Sequence, residues 1–178
     1  MQKSMPRGIL VLLMLLITVW LSACATTVKP VYLLRHAEKG AGSDPDLTPA
    51  GQARAQEFLR VLGNVTVNAI YSTNTKRTRQ TAQPLATAKS LTIQIYSDTS
   101  TANTILSGSN EQIAVIVGHS NTVPELITAF GATPPYTYIP EKEFDNLFLL
   151  IVKKTKKFGS GTDITTKLLH MKYGSVSK

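Results

Sequence analysis

Beyond residue 30, short apolar runs alternate with longer segments in which apolar residues recur at helical spacing. The short runs are rich in branched side chains, as in strands that are covered on both faces. They predict strands over residues 30–35, 67–72, 91–96 and 113–118. The longer segments predict helices over residues 47–63, 75–89, 99–112 and 121–131. The first helix is the best signalled, with Thr48 as its cap, Pro49 at its first position and Gly63 after its end.

The last part of the chain has a different pattern. The apolar stretches NLFLLIV and TTKLLHMKY flank the polar segment KKTKKFGSG, which predicts an antiparallel hairpin. The strands and helices that alternate before it predict a mostly parallel sheet. The expected fold class is therefore α/β, as a three-layer α/β/α sandwich with an antiparallel hairpin at one edge of its sheet.

Length and charge narrow the classes of function. With 178 residues, 43% of them hydrophobic, the chain can bury one substantial core, which favours one domain. The formal net charge is +8, but the basic residues are scattered apart from KKTKK at 153–157. Neither interleaved aromatic residues nor a nucleic-acid motif accompany this cluster. It is interpreted as a solvated hairpin end, and nucleic acid is not an expected partner.

The N-terminal residues have the pattern of an export signal. Lys3 and Arg7 precede an apolar run at 9–21, which is shorter than the ~20 residues that span a bilayer comfortably. The run closes with LSAC, which resembles the lipobox of bacterial lipoproteins, where the cysteine becomes the lipidated N-terminus. Cys24 is the only cysteine, which excludes a disulfide within one molecule. An ordinary signal peptide, or an uncleaved anchor, with an incidental cysteine is the alternative.

This interpretation divides the chain into three parts. Residues 1–23 are a lipoprotein signal peptide, residues 24–29 a short polar tether and residues 30–178 the folded domain. We therefore expect an exported protein that is anchored by lipid to the bacterial cell envelope, at its periplasmic or outer surface.

Four cationic or titratable side chains follow predicted strands. Arg35 and His36 come after the first strand, Arg77 follows the second, and His119 follows the apolar run IAVIVG. Ligands of open α/β sheets bind at the carboxyl ends of the strands, where helix N-termini add N–H donors. Guanidinium groups match phosphate oxygens in a bidentate manner. The four side chains together predict a phosphate pocket.

Four segments in order resemble the motifs of the histidine phosphatase superfamily, which includes the cofactor-dependent phosphoglycerate mutases. The segments are LLRHAEK, DLTPAGQARAQ, YSTNTKRTRQTA and VIVGHSNTVP. The resemblance covers about residues 30–152 and agrees with the fold class above. The chain has no insertion large enough to form a lid, and in size it is similar to the short phosphohistidine phosphatases of this superfamily.

The resemblance implies a role for each of the four residues. His36 is the nucleophile that becomes phosphorylated, while Arg35, Arg77 and His119 hold the phosphoryl oxygens. A neutral imidazole can attack phosphorus if its other ring nitrogen is fixed as a donor, most often to a backbone carbonyl. The surrounding cations stabilise the transition state, so neither a metal ion nor another cofactor is expected. His170 lacks such neighbours in the sequence and is interpreted as structural or exposed.

Several carboxylates are candidates for the general acid that protonates the leaving group. Asp98 follows a strand and is either the acid or the cap of the next helix. Glu38 and Glu125 are further candidates, although an acid in the first turn of a helix is also expected for the helix dipole. Glu111 precedes a strand and therefore lies at the opposite edge. Asp145 is a candidate for supporting the pocket without touching its ligand.

The function expected from these features is hydrolysis of a phosphate monoester or a phosphoramidate outside the cytoplasm, on a small molecule or a phosphoprotein. A mutase would have to retain a bisphosphate intermediate away from water, which an open pocket does poorly. A phosphate-binding module without turnover and a structural envelope lipoprotein are the alternatives. Substrate specificity is expected in the polar loops at 40–46, 97–110 and 132–145.

Overall fold

The computed structural model describes residues 26–108, 112–157 and 161–177. Ten elements follow one another along the chain: β1 (Thr26–Arg35), α1 (Pro49–Leu62), β2 (Ala69–Ser72), α2 (Lys76–Lys89), β3 (Ile93–Ile95), α3 (Ser100–Ser107), β4 (Ala114–Gly118), α4 (Thr122–Ala129), β5 (Asn146–Lys157) and β6 (Gly161–Lys172). Within these ranges no helix has the length and apolarity to cross a bilayer. The apolar run at 9–21 and Cys24 lie outside the described residues.

The six strands form one sheet in the order β3-β2-β4-β1-β5-β6. The strands β3, β2, β4 and β1 are parallel, whereas β5 is antiparallel to β1 and β6 to β5. Helices cover both faces. Side chains of α3 and α4 pack on one face, and side chains of α1 and α2 pack on the other. The three-layer α/β sandwich with an antiparallel edge hairpin is therefore confirmed.

Most predicted elements are present with shorter bounds. The helix α1 begins as predicted, since the hydroxyl of Thr48 accepts the N–H of Gly51 at 3.2 Å and Pro49 occupies its first position. The helix α2 continues through Pro84, and α3 is an eight-residue helix. The hairpin strands are longer than predicted, because β5 runs through KKTKK and pairs as far as Lys157 with Gly161.

The start of β1 corrects the predicted tether. Strand pairing begins at Thr26, opposite Thr155 of β5, so that four of the residues assigned to the tether belong to the sheet. The sequence of this segment is polar and did not predict a strand, since a lysine is rarely buried. Lys29 is nevertheless buried here. The ammonium of Lys29 donates to the carbonyls of Ile105 and Gly108, at 2.9 and 2.6 Å, at the C-terminal end of α3. A cation is favoured at this end of a helix.

A close backbone approach places α1 against the segment that follows His36. A Cβ atom on Gly51 would lie 2.1 Å from the carbonyl oxygen of Glu38, which is too close for any side chain at this position. The backbone of Glu38 also accepts the N–H of Thr48 at 2.9 Å. The glycine in DLTPAGQ thus permits the contact that fixes the loop after β1.

Candidate active site

The four predicted residues meet at the carboxyl edge of the parallel strands. The strands β1 and β4 are neighbours, with Arg35 opposite Gly118, so that His36 and His119 follow directly paired residues. The N–H of His36 donates to the carbonyl of Gly118 at 2.9 Å, and the two imidazole centroids are 5.4 Å apart. Arg77, in the first turn of α2, reaches Nδ1 of His119 with its Nη2 at 3.5 Å. The predicted constellation is therefore a single site in space.

The ring of His36 is held in one orientation by its own neighbour. Its Nδ1 lies 2.8 Å from the carbonyl oxygen of Ala37. Because a carbonyl only accepts, Nδ1 carries the proton and Nε2 keeps a lone pair in the neutral ring. The N–H of Ala37 donates to the hydroxyl of Thr81 on α2, which in turn donates to the carbonyl of Arg77. The nucleophile predicted from the sequence thus has the required tautomer, and α2 fixes the backbone beside it.

Both site histidines are neutral at physiological pH. Burial lowers the pKa of His36 from 6.5 to about 3, against the opposing effect of the hydrogen bond to Ala37, and the charge of Arg35 lowers it further. Burial lowers the pKa of His119 from 6.5 to about 4, and the charges of Arg77 and Arg35 add to this shift. The neutral form is the nucleophilic form of an imidazole.

His119 also has a defined tautomer. Because the guanidinium of Arg77 can only donate, Nδ1 of His119 accepts, and the ring proton is on Nε2. This Nε2 lies 2.9 Å from the hydroxyl oxygen of Thr73, which receives the proton in a hydrogen bond. The N–H of His119 itself donates to the hydroxyl of Thr122 at 2.8 Å, at the start of α4.

The guanidinium of Arg35 is held by backbone carbonyls. Its Nη1 donates to the carbonyls of Pro140 and Glu141 at 2.8 Å each, and that of Glu143 lies at 3.4 Å. The guanidinium carbon lies 4.4 Å from the ring centroid of Phe144. Sequence reasoning assigned residues 132–145 to specificity and missed this support, since carbonyl groups carry no sequence signature. The Nε of Arg35 is buried and has no hydrogen-bond partner among the described residues.

A carboxylate that sequence reasoning did not select lies beside Arg77. One oxygen of Asp44 accepts the N–H of Lys76 at 2.9 Å and lies 3.5 Å from Nη1 of Arg77. The Nε of Arg77, like that of Arg35, is buried without a partner in the described chain. Two guanidinium groups with unused donors, close to two neutral imidazoles, are suited to bind a tetrahedral oxyanion.

Three predicted acids have other contacts. Asp98 is exposed and accepts the N–H of Ser100 at 2.8 Å, which is the capping alternative. It follows β3, three strands from β1, which corresponds to about 14 Å across the sheet. Glu38 instead forms a bidentate ion pair with the buried Arg54, at 2.7 to 2.9 Å. Its carboxylate therefore holds the loop after β1 against α1. Glu125 is exposed on α4, with Asn121 as its partner.

The remaining candidates lie away from the imidazoles. Asp145 is buried and accepts the ammonium of Lys172 at 2.9 Å, and it directly follows the ring that packs on Arg35. His170 is an exposed residue of β6 whose Nε2 lies 2.7 Å from the amide oxygen of Asn146. Glu111 lies outside the described residues. Within the described ranges, no group of three His, Cys, Asp or Glu side chains is placed to hold a metal ion.

The histidine pKa values give the first testable prediction. In the folded protein, the imidazole resonances of His36 and His119 should not titrate between pH 8 and 5, whereas in the urea-unfolded chain they should titrate near 6.5. As the pH falls, both histidines take up a proton in the unfolded chain before they do so in the folded protein. The free energy of unfolding should therefore decrease from pH 6.5 down to about pH 4 for His119 and about pH 3 for His36. NMR titration, with each histidine assigned by substitution to glutamine, measures the midpoints. A midpoint near 6.5 for either ring would contradict its burial in the neutral form.

The model of the histidine phosphatase superfamily, branch 1, matches residues 31–100. A comparison with curated protein sequences gives no match.

Solved structures share the fold. Mycobacterial hydrolase 2 is similar with 16% identity and a TM-score of 0.62, over 85% of this chain and 93% of that chain. The native mycobacterial glucosyl-3-phosphoglycerate phosphatase has 14% identity and a TM-score of 0.58, over 79% and 97%. The protein histidine phosphatase SixA complexed with tungstate has 17% identity and a TM-score of 0.54, over 80% and 96%. The solved structures show a common fold, and the family model matches 70 of the 178 residues of this chain.

Proposed function

We propose that the protein is a phosphatase that hydrolyses phosphate monoesters or phosphoramidates through a phosphohistidine intermediate on His36. The observation that carries the proposal is the hydrogen bond from Nδ1 of His36 to the carbonyl of Ala37, which leaves Nε2 as an unprotonated nucleophile. The substrate is a phosphorylated small molecule or a phosphoprotein.

The reaction takes place in two displacements. In the first, the Nε2 lone pair forms a bond to phosphorus while the bond to the leaving group breaks, and the leaving group departs with that electron pair and takes a proton from the general acid. In the second, water attacks phosphorus and gives a proton back to the carboxylate formed in the first step, the electron pair of the N–P bond returns to Nε2, and phosphate is released. Arg35 and Arg77 stabilise charge on the equatorial oxygens with donors that are otherwise unused. The Nε2–H of His119, which donates to the hydroxyl of Thr73 in the free site, donates to a phosphoryl oxygen instead when substrate binds.

The solved structures with this fold support phosphate chemistry. One is named as a glucosyl-3-phosphoglycerate phosphatase and another as a protein histidine phosphatase, the latter complexed with tungstate. Tungstate is a tetrahedral oxyanion, as phosphate is. Hydrolysis is favoured over a mutase reaction, because the described residues between β3 and β4 form only the eight-residue helix α3 and no lid domain.

The phosphohistidine intermediate can be trapped. Rapid quenching during turnover of a labelled substrate should leave an acid-labile, base-stable phosphoryl group on the peptide that contains His36. His36→Ala should lose both the label and the activity, and His170→Ala should keep both, because His170 lies on β6 and pairs with Asn146. Label on a serine, or turnover that chelators abolish, would contradict this mechanism.

The leaving group tests the general acid. An alkoxide needs a proton in the transition state and a nitrophenolate does not, so loss of the acid should slow alkyl phosphates by roughly 10²–10⁴-fold and spare nitrophenyl phosphate. The carboxylate of Asp44 lies beside Arg77 and is therefore the candidate acid in the site. Asp44→Asn should show this selective loss. Asp98→Asn should cause small, equal losses on both substrates, because it caps α3. A selective loss in Asp98→Asn would reverse the assignment, and an equal loss in Asp44→Asn would limit that residue to orienting Arg77.

We further propose that the protein is exported and anchored to the cell envelope by lipid on Cys24. Support comes from the sequence alone: the basic residues and apolar run before LSAC, and the position of the only cysteine. An ordinary signal peptide would instead leave Cys24 as a free thiol.

Metabolic labelling tests the anchor. A radiolabelled fatty acid should mark the wild-type protein and should not mark Cys24→Ser, because the thioether requires the thiol. Fractionation should find the labelled protein outside the cytoplasm. Label that persists in Cys24→Ser would contradict lipidation at this residue.

A further inference from the structure

The end of the sheet opposite the active site is strongly basic. The strand β5 carries four lysines there, namely Lys153, Lys154, Lys156 and Lys157. The neighbouring part of β6 contributes one acid, Asp163, which pairs with Lys157. We call these lysines, together with the exposed Ile164 and the first residue of β1, the lysine end. The proposed phosphatase reaction makes no use of it, because the reacting groups lie at the other end of the strands.

The lysines lie on both faces of the hairpin. Since side chains alternate along a strand, Lys153 and Lys157 point to one face and Lys154 and Lys156 to the other. A ligand on one face of the sheet would meet only half of them, whereas a flat partner that meets the sheet end-on faces all four. The apolar side chain of Ile164, opposite Lys154, is 47% exposed at the same end.

The chain enters the domain at the lysine end. Thr26, the first residue of β1, is opposite Thr155, which lies among these lysines, and their hydroxyl oxygens are 3.3 Å apart. Three residues later, the buried Lys29 is hydrogen-bonded to the end of α3, which fixes the start of β1 to the body of the domain. Cys24 precedes Thr26 by two residues, a span of at most about 7 Å. A lipid on Cys24 would therefore hold the lysine end at the membrane surface.

We propose that the lysine end lies against an anionic lipid surface and fixes the orientation of the domain on the membrane. The inference rests on the proposed lipidation of Cys24. Lysines close to such a surface are attracted to it, and a lipid chain combined with a basic patch gives stable attachment. The ten residues of β1 place the catalytic pocket about 30 Å from the membrane. The pocket therefore takes its phosphates from the aqueous phase, and headgroups of the same bilayer are out of its reach.

Site-specific fluorescence tests the orientation in the intact lipidated chain. Lipidation consumes the only native thiol, so a single introduced cysteine can be labelled selectively. Ile164→Cys marks the lysine end, and Ser43→Cys marks the exposed loop near the pocket. In phosphatidylglycerol vesicles with spin-labelled headgroups, the probe at 164 should be quenched and the probe at 43 should not. In phosphatidylcholine vesicles, quenching at 164 should decrease, because only the anchor then holds the domain.

Charge reversal separates the lysines from the anchor. In the Ile164→Cys protein, Lys153→Glu with Lys156→Glu should lower the equilibrium ratio of protein in contact with the anionic surface to protein out of contact by at least about 25-fold, or fivefold for each lysine. The matched control, Lys39→Glu with Lys142→Glu, makes the same change of net charge with two exposed residues at the other end and should have no effect.

The outcomes distinguish this inference from the proposals on which it builds. A mass spectrum without the acyl groups would overturn the anchor and the orientation together. With the acyl groups present, equal quenching at both positions, equal quenching in both vesicle types or equal effects of the two charge reversals would overturn the orientation alone. Phosphatase activity of the wild-type and Ile164→Cys proteins in the same vesicles reports on the pocket independently.

Discussion

The site depends on a positive charge that backbone carbonyl groups hold in place. The guanidinium of Arg35 is fixed by backbone carbonyls of residues 140–143 and by the ring of Phe144, and no salt bridge to it occurs among the described residues. A carboxylate in the same place would neutralise the charge that an incoming phosphate needs. The carbonyls give the same positional control and leave the field of the guanidinium intact. Burial is the main cause of the lowered pKa of both neighbouring imidazoles, and the charge of Arg35 adds to it.

The fold supplies the rest of the geometry through adjacent strands. Because β4 lies beside β1, the residues that follow them converge without a long loop, and the backbone of His36 bonds directly to Gly118. Gly118 is tightly enclosed, since a Cβ atom there would lie 2.6 Å from the hydroxyls of Thr122 and Tyr96. On the other side, Thr81 links the backbone beside the nucleophile to α2 and thereby to Arg77. Both faces of the sheet thus contribute to one pocket.

The sequence predicted those parts of the structure that have local signals. Apolar runs marked the strands, Thr48 and Pro49 marked the start of α1, and the position of Arg35, His36, Arg77 and His119 after strands marked the pocket. What it missed depends on contacts between distant segments. The polar residues before Pro30 form a strand because β5 pairs with them, and the carboxylate of Glu38 is occupied because Arg54 lies on the helix packed against it. The carbonyls that hold Arg35 are more than a hundred residues away from it.

The C-terminal tail has a practical consequence for handling the protein. The hydroxyl oxygen of Ser177 accepts hydrogen bonds from the backbone N–H groups of Phe144 and Asp145. The backbone N–H of Ser177 donates to the carboxylate of Asp145 at 3.3 Å. The tail thereby holds the ring on which Arg35 rests. An affinity tag or fusion partner attached close behind Ser177 would pull on one wall of the pocket. Protein prepared for enzymology therefore needs a long flexible linker between Ser177 and any tag that follows it, or a tag inserted elsewhere.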